Sequence, residues 1–139
     1  MSYEERGVWA NLLASAVGYI AYLAIVVPRL FHTPAAQVSY LLPLLIATLS
    51  AVVVATVARS ALEFARPSDS SKADARDRDI ARFGEYASRW CVVGGAMAGL
   101  IMAVGRVDYF WIANVIYLGF ILWAVVGSVL QLIAYRRGL

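Results

Sequence analysis

Four long apolar blocks, separated by short charged or proline-bearing stretches, set the pattern of the chain. The first, 8–27, is twenty residues without a charge, VWANLLASAVGYIAYLAIVV. At about 1.5 Å per residue, a helix of that length covers the roughly 30 Å hydrocarbon core of a bilayer. Pro28-Arg29 follows and is expected to stop it, because the residue before a proline is pushed out of the helical region. A second uncharged block, 38–58, comes after a Thr33-Pro34 turn. Its Pro43 falls in the first turn, where an amide has no intrahelical partner to lose. The third block, 90–105, has only sixteen residues before Arg106. It spans if the helix starts upstream, near 88, and Arg89 or Arg82 reaches back to the headgroups. The fourth, 109–134, runs twenty-six residues without a charge. The pattern predicts an all-α integral membrane four-helix bundle. It forms one transmembrane domain over 1–139, with spans near 8–27, 38–58, 88–105 and 109–134 and a polar connection over 59–87.

Composition agrees with the blocks. Hydrophobic residues are 62% and charged residues 15% of the 139, against roughly 45–50% and about 25% in ordinary globular chains. The mean hydropathy is +0.72. So few charges cannot cover the surface of a small water-soluble domain. The leading MSYEERG carries two glutamates and one arginine, whereas a signal peptide starts net positive and has a shorter apolar core. The first block is therefore read as a retained span.

Charge adds direction. The connection 59–89 holds seven of the twelve basic residues, the N-terminal tail one and the C-terminal tail two, against Arg29 and Arg106 alone on the other side. Basic residues accumulate on the cytoplasmic side, so both termini and the connection are expected there. An even number of spans puts all three on one side. Trp9, Phe64, Trp90 and Tyr135 then fall at the inner boundary, and Phe31, Tyr40, Tyr109 and Trp111 at the outer one, where aromatic rings favour the headgroup layers. Trp123, near the middle of the fourth span, reads as a packing residue. The net charge of +3 is accounted for by this flanking charge and implies no nucleic acid.

Within the connection, 66–71 (RPSDSS) reads as a turn-rich loop. From Asp74 to Trp90 the pattern becomes helical. Ile80, Phe83, Ala87 and Trp90 give one apolar face, and Asp74–Arg78 and Glu85–Arg89 are acid-first pairs at i,i+4. This amphipathic helix is expected to lie at the inner membrane surface and run into the third span. It reads as a charge-paired linker that enforces topology, or as a docking surface built on Asp74, Arg76, Asp77 and Arg78. The segment Asp74-Ala75-Arg76-Asp77-Arg78-Asp79-Ile80 resembles the D-E-R-D/E-x-x-I stretch of small uncharacterised bacterial four-span membrane proteins, with Ala75 in place of an acid. Phe110-Trp111-Ile112-Ala113-Asn114 and Tyr135-Arg136-Arg137-Gly138 are similar to segments of that group as well. The resemblance implies a bacterial inner-membrane location and carries over no activity.

No ionisable residue lies inside the four spans as drawn, which weighs against proton-coupled transport. Four-span multidrug exporters of the small multidrug-resistance type place a glutamate in the first span; this first span has none. Neutral polar residues remain, among them Asn11, Ser15, Thr48, Ser128 and, nearer the interfaces, Asn114 and Gln131. The last two are read as interhelical glue. Small residues mark packing faces: Gly18 with Ala10, Ala14 and Ala21 in span one, and Gly95-x-x-x-Gly99 in span three. That motif serves equally an intramolecular contact or a dimer seam. The lone Cys91 and lone His32 have no partners that build a disulfide, metal or catalytic site. No nucleophile–base pair, metal cluster or phosphate loop appears, so no enzyme activity, cofactor or metal is expected. The expected partners are the bilayer and, in addition, a second copy or another membrane protein. The expected activity is that of a non-catalytic accessory, regulatory or immunity-type subunit. The alternative is a subunit of an oligomeric channel or transporter, its pore lined by Asn114, Ser128 and Gln131.

Overall fold

A computed structural model of the chain describes residues 3–64 and 75–137. Those residues form four long helices, α1 (Tyr3–Leu30), α2 (Leu41–Phe64), α3 (Ala75–Val104) and α4 (Tyr109–Arg137). All four are long and apolar enough to cross a membrane. The protein is an all-α four-helix bundle of apolar helices. Consecutive helices run antiparallel, so α1 begins and α4 ends at the same end, here called the near end.

The helix limits differ from the block limits at three places. Pro28 does not stop α1, which continues through it to Leu30. The proline ring fits helical backbone angles and costs one hydrogen bond to the carbonyl four residues back, a loss tolerated close to a helix end. The real stop is a tightened turn, with the amides of Phe31 and His32 bonded to the carbonyls of Pro28 and Arg29. A short 3-10 turn, Ala35–Gln37, then reverses the chain. α2 starts three residues later than its apolar block, at Leu41, and Pro43 falls in its first turn as expected. The third difference is the largest. The amphipathic segment and the short third block are one helix of 30 residues, about 45 Å long. It is one continuous rod because no proline or glycine pair interrupts 75–92; of its expected apolar face Ile80 is buried, whereas Phe83 and Trp90 stay exposed. Ile80, 4% exposed, packs beside Ala134 near the end of α4. α3 and α4 thus stay paired to the near end of the bundle.

The helices pack as a row. α4 contacts α3 along its length and also α1, and α1 contacts α2. Accordingly, 28% of the apolar stretch of α4 is buried but only 6% of that of α2. A tight turn joins α3 to α4. There Arg106 takes the left-handed conformation (φ 54°), and the amide of Val107 bonds to the carbonyl of Met102 while that of Arg106 bonds to Ala103. This is the Schellman geometry that glycine usually supplies.

Candidate functional site

Three zones follow from this packing, and the first is a seam of small residues between α3 and α4. A Cβ added to Gly95 would sit 2.8 Å from the Cα of Gly119, and one added to Gly119 would sit 3.0 Å from the carbonyl oxygen of Cys91. The two backbones touch here, which dispersion favours where lipid offers no hydrophobic drive. The seam continues toward the near end. A Cβ on Gly127 would meet the hydroxyl of Ser88 at 2.9 Å, and one on Gly84 would meet the side chain of Gln131 at 2.5 Å. Gly99 faces only the tip of Ile116, and Gly94 faces open space. The G-x-x-x-G motif is therefore turned inward, onto α4. Gly18 lies between α1 and α2, with a Cβ there 3.6 Å from the Cβ of Ala51, which is ordinary contact.

An aromatic cluster occupies the far half of the row between α1, α2 and α4. Tyr22 is 1% exposed and donates to Asn114 Oδ1 at 2.6 Å; the Asn114 amide in turn donates to the carbonyl of Phe110 at 2.8 Å. The Tyr22 ring meets that of Tyr117 edge-on at 5.3 Å, and Tyr19 meets Tyr117 at 5.8 Å. Tyr40 and Phe110, at 5.1 Å, close the far rim, where Tyr109 donates to the carbonyl of Ala36. Asn114 thus has its oxygen bonded to Tyr22 and its nitrogen to its own helix.

The third zone is a polar cavity of about 340 Å³ in the near half, lined by all four helices where α2 and α3 stand apart. α1 contributes Asn11, α2 Thr56, α3 Glu85 and Ser88, and α4 Ser128 and Gln131. Asn11 Nδ2 donates to Ser128 Oγ at 3.1 Å, tying α1 to α4. Ser88, fully buried, donates to the carbonyl of Gly84 at 2.7 Å, and Thr56 donates to that of Val52 at 2.8 Å. Trp123, with Val52 and Ala55, forms an apolar wall. Within one protomer Ser128 and Gln131 share the cavity, whereas Asn114 belongs to the tyrosine cluster some four turns away. The Glu85–Arg89 ion pair also fails to form. The Arg89 guanidinium lies over the Tyr86 ring at 5.6 Å, and Glu85 has no ion-pair partner among the described residues.

No family model, curated protein or solved structure matches the chain.

At the near end of α3, Arg76 and Arg78 are exposed and Asp77 is half-buried; Asp74 and the loop 66–71 lie outside the described residues. No group of three or more His, Cys, Asp or Glu side chains able to hold a metal occurs among the described residues. Two features escaped the reading of the sequence. Tyr22 was hidden in an apolar run as one more aromatic. Glu85 was assigned to the polar connection, although Gly84 and Ser88 extend the small-residue stripe of Gly95 and Gly99 to its position. That stripe was the available signal.

Proposed function

We propose that this is a non-catalytic integral membrane protein that acts through helix–helix contacts, as an accessory, regulatory or immunity-type subunit. The observation that carries the reading is the position of α2. It stands at one end of the row, has α1 as its main neighbour, and leaves Leu49, Val53 and Val57 exposed on an apolar surface. The strongest packing motif of the chain is meanwhile consumed inside the protomer, between α3 and α4. α2 is then the surface left for a partner helix. The charge asymmetry supports both termini and the α2–α3 connection in the cytoplasm. The resemblance in 74–80 supports a bacterial inner membrane.

The second reading, a channel or transporter subunit, has the polar cavity in its favour and the tyrosine cluster against it. That cluster fills the far half of the same row, so a passage needs a second copy to complete it. A photo-crosslinking residue at Val53 or Val57, with purification in mild detergent, separates the two. A stoichiometric adduct with a different membrane protein supports the first reading. A homo-oligomeric adduct together with liposome flux supports the second. A monomer with neither adduct nor flux overturns both.

A further inference from the structure

We propose that the cavity in the near half of the bundle is a binding site for a small protonated aromatic amine. The inference goes beyond a role in helix contacts and stands on the chemistry of the cavity walls. Among the described residues lining it, Glu85 carries the only charge, and no basic side chain faces it. Of the neutral polar groups, Gln131 offers both a donor and an acceptor, while three others turn acceptors to the cavity. Ser88 and Thr56 spend their hydroxyl protons on carbonyls of their own helices. Asn11 turns its amide nitrogen to Ser128, which leaves its carbonyl oxygen to the cavity. Glu85, at the cavity mouth, is an acceptor only, and a hydrogen bond to an ionised carboxylate is worth more than one between neutral groups. The complementary ligand therefore brings N–H donors and a positive charge.

The apolar part of the lining fixes the rest of the ligand. Trp123, Val52 and Ala55 offer an apolar surface that includes an indole, the side chain best suited to a neighbouring cation or aromatic ring. A metal ion is a poor fit, because one carboxylate supplies too few hard oxygen ligands for calcium or magnesium. An anion meets Glu85 with no compensating cation. The volume of about 340 Å³ lies at the small end of ligand pockets, which range from about 300 to 1,000 Å³. One ring with a short ammonium arm satisfies both walls.

The test uses the full chain in nanodiscs of zwitterionic lipid, titrated calorimetrically with 2-phenylethylammonium, 2-phenylethanol and phenylacetate. The amine is expected to bind saturably at one site. The alcohol should bind roughly tenfold or more weakly, the worth of one charge-assisted hydrogen bond. Phenylacetate should not bind. Glu85→Gln should bring the amine down to the level of the alcohol, whereas Glu85→Asp keeps the preference. Trp123→Leu should weaken amine and alcohol together. Glu85 is exposed at the mouth of the cavity, so its replacement leaves folding intact, checked by circular dichroism. Equal binding of amine and alcohol, an unchanged affinity in Glu85→Gln, or no saturable binding at millimolar concentration each overturns the proposal. The measurement is made on the purified protein alone, so its outcome is separate from whether a partner occupies α2.

Discussion

At Gly94, Gly95 and Gly99, neighbouring glycines in one apolar run meet three different surroundings. Beyond Gly94 there is open space, beyond Gly95 the backbone of Gly119, and beyond Gly99 the flexible tip of Ile116. Alanine substitutions should separate accordingly. Gly94→Ala should stabilise by about 0.5–1 kcal/mol, since alanine restricts the unfolded chain and suits a helix interior. Gly95→Ala should destabilise by about 1–3 kcal/mol, because a backbone cannot step aside as a side chain can. Gly99→Ala should fall between them. Thermal or denaturant unfolding in one detergent checks the order, and equal effects at 94 and 95 would remove the seam. The motif itself was legible in the sequence; its partner was not. Nothing in local spacing registers Gly95 against Gly119 across two antiparallel helices, so an intramolecular seam and a dimer seam looked alike until the packing was known.

Helix by helix, α1 and α4 are joined by two polar ties on one interface, Tyr22–Asn114 in the far half and Asn11–Ser128 in the near half. The first is the shorter and the more deeply buried. Hydrogen bonds between membrane helices contribute about 0.6 kcal/mol on average and at most about 1.7. Tyr22→Phe keeps the ring against Tyr117 and removes only the donor, so its cost should fall within that range. In a double-mutant cycle with Asn114→Ala the coupling should be of the same size. A coupling of zero would reduce the pair to incidental contact. Here the sequence reading went part of the way. It identified Asn114 as interhelical glue by its polarity in an apolar run, but a tyrosine inside such a run carries no mark of its partner. α3 shows a complementary limit. The step from amphipathic to fully apolar composition suggests a change from surface to span. The absence of a breaker over 75–92, and the face that Ile80 offers to Ala134, make it one continuous rod.

Over the whole molecule, the row of four helices and the distribution of charge make one statement about orientation. The near end carries the start of α1, the end of α2, the start of α3 and the end of α4, and in the sequence every basic residue except Arg29 and Arg106 belongs to those helix ends or to the connection between α2 and α3. Arg29 is held at the far end by a bond from its guanidinium to the carbonyl of Ser39 at 2.6 Å, and Arg106 sits in the α3–α4 turn. Inverting the protein would bring the ten near-end cations to the outer face, against the bias that sets topology. In a Cys91→Ser background, a cysteine at Thr33 should react with a membrane-impermeant maleimide in intact cells. A cysteine at Arg136 should react only after permeabilisation. The opposite pattern would invert the protein and place the cavity mouth, with Glu85, on the outer side. Labelling of both positions in intact cells would mean mixed insertion and would overturn the single orientation. Orientation thus decides which compartment supplies the cavity: under the proposed topology, an amine reaches Glu85 from the cytoplasm.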